Sequence, residues 1–272
     1  MSQQTTDNST ARRIGLSTGS LFPAYLTEDA LNAAAQLGFS TVEVYLQTHG
    51  EYAPAFVAEV RRRLDSLGLT VHSVHNDIRH FDLWSAYARR ADESHALFER
   101  LVDVAAAWNA QAITWHGTRD PLDTPDEFGR FAATVGTLAE RAGSVGVTLT
   151  IENVRWCYVR GVEQIRHVRD TGLPLGFTFD PFQAAEAGQD PAAVVRAMGD
   201  RLTTVHLSDF GTGVIRHLPL GQGTLDWPVI FHALAEVHYQ GPLIVEVPFR
   251  GDLDVLAQGR AFVEHHLAAG PH

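Results

Sequence analysis

Lysine is missing from this chain of 272 residues, and all 21 of its Lys and Arg positions are arginine. Without a lysine amine, no Schiff-base mechanism and no lysine-dependent phosphate-binding loop is available. Cysteine occurs once, at Cys157, which rules out an intramolecular disulfide and a zinc site built from cysteines. Long apolar runs are also missing, since none approaches the ~20 residues that a membrane span needs. These absences predict no membrane partner and direct attention to acids, histidines and arginines.

Acidic residues outnumber basic ones: 32 Asp and Glu residues against 21 arginines give a formal net charge of −11. Nucleic-acid backbones are bound by clustered cations, so this balance argues against a nucleic-acid partner. The polar residues 1–12 lack the apolar centre of a signal peptide. We expect residues 1–12 to form a disordered tail, residues 13–272 to form a single domain, and the protein to be cytoplasmic.

Short apolar runs alternate with helix-forming stretches along the whole chain. This alternation predicts a parallel sheet, either doubly wound and open or closed into a (β/α)8 TIM barrel. Polar residues follow six of the strands, and only a closed barrel brings six strand ends together. We therefore predict a TIM barrel with its site at the C-terminal face. The eight predicted strands are residues 14–17, 41–45, 70–75, 112–115, 147–151, 175–179, 203–205 and 242–245.

Four residues that immediately follow the last four apolar runs are the strongest chemical signal: Glu152, Asp180, His206 and Glu246. Three carboxylates and one imidazole suit one divalent cation, with Mn²⁺ as the first choice and Mg²⁺, Co²⁺ or Zn²⁺ as alternatives. Without a cation, three converging acids would raise one another's pKa values. The competing interpretation is that each acid is a solvated strand end paired with an arginine.

Three histidines are further candidates. His75 and His116 end the third and fourth predicted strands, where they could bind metal, contact substrate or pack in the core. His217 lies in the loop after the seventh strand, where Pro219 and Gly221 set a turn. We expect it to hydrogen-bond substrate or a metal-bound water. The segment Gly221-Gln222-Gly223 is interpreted as a turn, and no nucleotide cofactor is predicted.

Arginines and aromatic residues flank the predicted strand ends. A ring of arginines at a barrel mouth favours an anionic or strongly polar substrate, although each arginine could instead neutralise a carboxylate or lie in a surface loop. The aromatic residues could form an apolar wall of the pocket or ordinary core. The arginines are Arg79, Arg119, Arg155, Arg216 and Arg250, and the aromatic residues are Trp115, Trp156, Phe182 and Trp227.

With these residues laid out, the chain resembles the xylose-isomerase-like TIM-barrel superfamily, which includes sugar phosphate isomerases and epimerases and endonuclease IV. The matching stretches are Ile151-Glu152-Asn153, Phe179-Asp180-Pro181, Val205-His206-Leu207-Ser208-Asp209, His217-Leu218-Pro219-Leu220-Gly221-Gln222-Gly223 with Asp226-Trp227, and Val245-Glu246-Val247.

The resemblance implies residue roles as well as a fold. It makes Glu152, Asp180, His206 and Glu246 the metal ligands, and Glu152 and Glu246 also the catalytic acid/base pair. It places Arg216, His217 and Gln183 at substrate-contacting positions. Gln183 stands where the epimerases and endonuclease IV often carry histidine, and Ile215 replaces the second-metal aspartate of endonuclease IV. Both differences disfavour a trinuclear DNA-repair site.

The predicted function is a metal-dependent isomerase or epimerase of a small hydroxy-ketone or aldehyde: a sugar, sugar phosphate or cyclitol. Glutamate-mediated proton transfer would pass through an enediolate that the metal stabilises. The first alternative is a dehydratase of a dehydroshikimate- or inosose-type substrate. A DNA-repair enzyme and a non-catalytic binding subunit are less favoured. The expected partner is a small polar or anionic substrate, bound through His75, His116, Gln183, Arg216, His217, Trp115 and Trp156. The oligomeric state stays open, and a homo-oligomer is compatible with the sequence.

Overall fold

Parallel strands close into a barrel in the computed structural model of this protein, which describes residues 14–77 and 81–269. The predicted tail at residues 1–12 lies outside the described residues. The barrel strands are β1 (Ile14–Ser17), β2 (Thr41–Leu46), β3 (Thr70–Asn76), β4 (Ala112–Trp115), β5 (Thr148–Glu152), β6 (Gly176–Phe179), β7 (Leu202–Leu207) and β10 (Leu243–Val245). A separate two-stranded antiparallel pair is formed by β8 (Asp209–Phe210) and β9 (His217–Leu218). The TIM barrel predicted from the sequence is confirmed.

Neighbouring barrel strands follow one another in the chain, and closure comes from the pairing of β1 with β10. All eight pairings are parallel, so the C-terminal ends of the strands meet at one face of the barrel. Apolar residues of the outward strand faces, such as Val42 and Val44, are fully buried beneath the helices. This arrangement gathers the loops that follow the strands into a common mouth.

Helices cover the outside of the barrel, and most begin where an acid or proline at the first turn suits a helix N-terminus. The N-cap of the first helix is Leu26, which makes no side-chain capping bond. No helix in the described ranges is long and apolar enough to cross a membrane. The helices are α1 (Thr27–Gln36), α2 (Pro54–Leu67), α3 (Ala88–Ala107), α4 (Pro125–Gly143), α5 (Val162–Asp170), α6 (Pro181–Glu186), α7 (Pro191–Met198), α8 (Trp227–Glu236) and α9 (Asp254–Ala269), with 3-10 turns at Thr18–Leu21, His49–Tyr52 and Gly199–Arg201.

Polar side chains fill much of the barrel interior. Because side chains alternate across a strand, Glu43 on β2 points inward while Val42 and Val44 point outward. Its register partners on the neighbouring strands, Ser17 and Ser73, lie at the same level of the barrel. Both serine hydroxyls donate hydrogen bonds to the Glu43 carboxylate. Threonines continue this hydrogen-bonded interior across the barrel: Thr114, Thr150 and Thr178.

His72, on β3, is buried and neutral in the folded protein. Its Nε2 atom lies 3.2 Å from the carbonyl oxygen of Thr203 and 3.1 Å from the hydroxyl of Thr204. Burial lowers the pKa of His72 from 6.5 to about 4, although the nearby charge of Glu43 opposes this shift. The unfolded chain therefore binds a proton at His72 at a higher pH than the native protein does.

Acidification from pH 6.5 to about 4 is expected to remove up to about 3 kcal/mol of unfolding free energy through His72 alone. The sign follows from the lowered pKa, because only the unfolded state is protonated in this window. Chemical denaturation of the wild-type protein and of His72→Gln across this range measures the difference in slope. Equal pH dependence of the two proteins would contradict the assignment.

Candidate functional site

The four predicted metal-binding residues meet at the C-terminal face of the barrel. Glu152 ends β5, His206 lies in β7, Asp180 follows β6 and Glu246 follows β10. One ligand atom from each of the four lies within 4.8 Å of the others. Glu152, Asp180 and His206 are buried, whereas the Glu246 side chain keeps 17% of its surface exposed. The barrel thus brings together residues that are up to 94 positions apart in the sequence (246 − 152).

Backbone hydrogen bonds hold two of the carboxylates in place. The buried amide of Asn153 bridges β5 to β6, because its Oδ1 accepts from the Asp180 N–H and its Nδ2 donates to the Asp180 carbonyl, both at 2.8 Å. Asp180 also caps α6 by accepting the backbone N–H of Gln183 at 3.0 Å. The Glu246 N–H donates to the carbonyl of Leu207, which ties it to β7. The ligand atoms are therefore carried by rigid strand ends.

Two buried polar atoms of this cluster have no hydrogen-bond partner among the described residues: Nδ1 of His206 and Oε2 of Glu152. Nδ1 of His206 lies 2.9 Å from Oε2 of Glu246 and 3.4 Å from Oε1 of Glu152, but neither approach has hydrogen-bond geometry. Buried polar atoms are rarely left unpaired, and a cation would satisfy both. Three carboxylates and this ring nitrogen therefore fit one divalent cation, held by Glu152, Asp180, His206 and Glu246.

The electrostatics of the cluster also favour a cation. Burial and the charges of Glu152 and Glu246 hold the pKa of Asp180 well above its ordinary value. Burial alone would lower the pKa of His206, but the charges of Glu246, Glu43 and Glu152 outweigh it and hold that pKa well above its ordinary value. A cation that binds here would compete with the protons that these raised pKa values favour.

His75 and His116 join the cluster from the neighbouring strands. Their Nε2 atoms lie 2.9 Å apart, and Nε2 of His116 lies 3.1 Å from Oε2 of Glu152. Burial opposes a charge on His75, but Glu43, Glu152 and Glu246 together raise its pKa. These histidines do more than pack in the core, because both rings reach Glu152. These three residues also form a second group able to hold a cation.

Glu43 belongs to the site, and the sequence analysis did not identify it. Its carboxylate lies 2.9 Å from Nε2 of His206 and 3.3 Å from Nδ1 of His75. Burial opposes its ionisation, but His206 and His75 hold the pKa of Glu43 well below its ordinary value. The other candidate acids lie at or just after strand ends, whereas Glu43 lies within a strand. Both faces of a barrel strand are buried, so an acid inside such a strand must have partners, and this was the available signal.

A cavity of about 290 Å³ opens above the cluster. Gln183 and His217, which the family resemblance places at substrate-contacting positions, are among its lining residues. His217 stacks in parallel on Phe182 at 4.1 Å, and its Nε2 lies 2.6 Å from the Ser208 hydroxyl. The other described lining residues are Gly19, Ser20, Phe22, Tyr45, Gln47, His75, Asp77, His116, Glu152, Asp180, Glu246 and Pro248.

The two tryptophans that were predicted to contact substrate lie in different surroundings. Trp115 faces away from this cavity: it is buried beside Trp84 and Phe98 and lines a neighbouring cavity instead. The prediction is corrected because β4 ends at Trp115, so that alternation turns its ring outward and only the next residue, His116, inward. Trp156 is 38% exposed, and its ring lies edge-on to His116 at 5.3 Å, beside the mouth.

Of the five arginines predicted to ring the mouth, the four that the structure describes do not line the cavity. Arg216 and Arg155 both face Glu186, at 3.0 and 3.5 Å. Arg119 lies over the ring of Trp156, and Arg250 donates to the carbonyl of His217. Arg79 lies outside the described residues. Arg155 and Arg216 therefore pair with a carboxylate instead of forming the expected anion-binding ring. Arg216 does not reach the cavity floor.

Asp209 holds the loop that carries His217. Its carboxylate accepts from the Trp227 indole and the Gly221 N–H, both at 2.9 Å, and from the Leu225 N–H at 3.2 Å. Gly223 packs so closely on this carboxylate that any side chain there would overlap it. The Pro/Gly-rich segment after β9 is thus shaped by a buried acid.

Asp209→Ala is expected to lower the unfolding free energy by about 3 kcal/mol, because the buried indole and backbone donors lose a charged acceptor. Urea denaturation measures this loss. The matched control is Asp226→Ala, which removes an exposed helix cap from α8 and should cost only about 1 kcal/mol. Equal losses for the two variants would show that Asp209 has no special role.

Comparison with known proteins agrees with the barrel fold. Residues 31–266 match the family described as the xylose isomerase-like TIM barrel, and the chain belongs to that family. Its relatives include the rhizopine catabolism protein MocC of Rhizobium meliloti, 28% identical over 251 residues that cover 80% of this chain and 74% of that protein.

A second relative is the D-psicose 3-epimerase of Agrobacterium fabrum, which is 24% identical over 80% of this chain and 78% of that enzyme. A solved structure titled as that of L-ribulose 3-epimerase superposes with a TM-score of 0.77 at 21% identity, covering 94% of this chain and 95% of that one. That structure supports the fold. The family membership and the epimerase relatives fit the isomerase or epimerase class.

Proposed function

We propose that this protein is a divalent-metal-dependent epimerase or isomerase of a small hydroxy-ketone or aldehyde, with a sugar or cyclitol as substrate. One observation carries the proposal: two carboxylates, Glu152 and Glu246, flank the same buried ring nitrogen of His206 at the floor of the 290 Å³ cavity. Proton removal and return at one carbon needs two such groups on opposite sides of the substrate. The 3-epimerase relatives support the same class.

A divalent cation held by Glu152, Asp180, His206 and Glu246, with Mn²⁺ as the first choice, would polarise the substrate carbonyl. One of Glu152 and Glu246 removes the proton next to that carbonyl, and the other returns a proton to the opposite face. Nε2 of His116 lies 3.1 Å from Oε2 of Glu152, beside one of these two carboxylates. Gln183 and His217 offer polar atoms to the substrate hydroxyls from the cavity wall.

The test is incubation of the Mn²⁺-loaded protein with ketopentoses, ketohexoses and keto-cyclitols in D₂O. The expected result is one deuterium at the carbon next to the carbonyl, in the product and in recovered substrate, detected by mass spectrometry and proton NMR. Protein treated with a chelator is the control and should give no exchange. Product formed without deuterium would overturn proton transfer through Glu152 and Glu246.

The same experiment distinguishes a dehydratase. Dehydration begins with the same proton removal but continues with loss of a hydroxyl group, so its product is lighter by one water and absorbs in the ultraviolet. Recovery of an epimer or isomer of unchanged composition supports the proposal. A conjugated product as the sole outcome would replace it by the lyase.

A further inference from the structure

The structure assigns to Glu43 the role of a positioning residue that fixes which ring nitrogen of His206 faces the cation site. This inference rests on the metal centre of the proposed function. Glu43 lies on β2, beneath the cluster, and none of its surface is exposed. Among the described carboxylates near both His206 and His75, Glu43 is the one whose contacts with the two rings have hydrogen-bond geometry.

Ligand atoms of Glu43, His75, His206 and Glu246 lie within 4.8 Å of one another, but the hydrogen bonds of Glu43 favour an acceptor role over that of a fifth metal ligand. Oε2 is approached by the hydroxyl of Ser73 at 2.7 Å, Nε2 of His206 at 2.9 Å and the hydroxyl of Thr114 at 3.3 Å. Oε1 is approached by the hydroxyl of Ser17 at 3.0 Å and Nδ1 of His75 at 3.3 Å. Five donors surround two oxygens, and a carboxylate has about four lone-pair sites, so none remains for a cation.

A carboxylate can only accept hydrogen bonds, so the His206 nitrogen that faces Glu43 carries a proton. When a cation replaces the second proton of His206, the proton held by Glu43 stays on Nε2 and the lone pair of the ring lies at Nδ1. That atom is the one that lies 2.9 Å from Glu246 and has no hydrogen-bond partner. Glu43 thus directs the only lone pair of His206 into the cluster of Glu152, Asp180 and Glu246.

The Glu43 carboxylate also faces one ring nitrogen of His75. Its Nδ1 faces Glu43, which leaves Nε2 directed at His116 and Glu152. Ser17 extends the network to the fourth ligand, because its hydroxyl lies 3.0 Å from Glu43 and 3.3 Å from Oε1 of Glu246. One buried acid therefore supports the orientation of ligands contributed by two strands.

Titration of metal-free protein with Co²⁺, followed by its visible absorption, tests the role. Glu43→Gln is expected to weaken Co²⁺ binding about 10- to 100-fold, as loss of a ligand's hydrogen-bonded partner does, and to change the visible spectrum. Glutamine has one acceptor oxygen, whereas His206 and His75 approach different oxygens of Glu43, so at least one ring loses the acceptor that fixes its tautomer. The matched control is Ser73→Ala, which removes one donor to Glu43, leaves the carboxylate in place and should change Co²⁺ affinity less than about threefold.

A purely structural role would lower the thermal midpoint of metal-free Glu43→Gln without altering Co²⁺ affinity or the spectrum, and that result would overturn the inference. A measurement on the wild-type protein does not depend on the folding of the variant. In ¹⁵N-histidine-labelled, Zn²⁺-loaded protein, with His206 assigned by its loss in His206→Gln, Nε2 should carry the proton. A proton on Nδ1 would overturn the role of Glu43 alone, whereas wild-type protein that binds no Co²⁺ would overturn the metal centre as well.

Discussion

Glu246→Gln is expected to reduce turnover by about 10³-fold or more, on the substrate found by deuterium exchange. A positioned acid or base contributes typically 10²–10⁴ to the rate, and glutamine can neither take nor return a proton. Glu246 is the more exposed of the two flanking carboxylates and lines the cavity, so it is placed to touch the substrate. Steady-state kinetics and solvent deuterium uptake measure the effect.

The control for this variant is Glu186→Gln. Glu186 lies at the rim, paired with Arg155 and Arg216, and loses the same charge without touching the cluster. It should keep deuterium exchange within a few-fold of the wild-type rate. If Glu246→Gln retains full turnover, Glu246 is not part of the proton-transfer pair.

Asp180→Asn is expected to weaken binding of Mn²⁺ or Co²⁺ by at least about 100-fold and to abolish turnover at low metal concentration. Loss of a partner outside the ligand set costs 10- to 100-fold in affinity, so loss of a ligand carboxylate should cost at least as much. The substitution also relieves the like-charge repulsion that raises the pKa of Asp180. Calorimetric titration of metal-free protein measures the affinity.

Asp180 also caps α6, so the variant needs a control that separates capping from metal binding. Asp190 caps the neighbouring helix α7 by accepting the Ala192 N–H at 3.0 Å. Asp190→Asn should leave metal affinity unchanged. Equal metal affinity in Asp180→Asn and wild-type protein would remove Asp180 from the ligand set.

Much of the fold was predictable because its signals are local. Apolar runs such as Ile14–Ser17 and Ala112–Trp115 agree with the observed strands to the residue. Gly68 ends α2 with a left-handed φ of 66°, which is the usual role of a glycine that follows a helix-forming stretch. The short helix α6 was not predicted, since six residues give too little periodicity to separate a helix from a loop.

Strand ends also predicted the candidate metal ligands, because parallel strands in a barrel deliver their C-terminal residues to one face. The same rule is wrong for Trp115, because a shift of one residue along the strand decides whether a side chain faces the cavity or the core. It said nothing of Glu43, whose partners come from β1, β3, β4 and β7 and are adjacent only after closure.

The sequence by itself determined the barrel, the lack of lysine and four candidate ligands at strand ends, because each of these depends on residue type and local period. Only the tertiary structure decided that Arg155 and Arg216 pair with Glu186, that His75 and His116 reach Glu152, and that Glu43 hydrogen-bonds His206. Side-chain direction and burial depend on barrel closure, which joins β1 to β10 across more than 220 residues of chain.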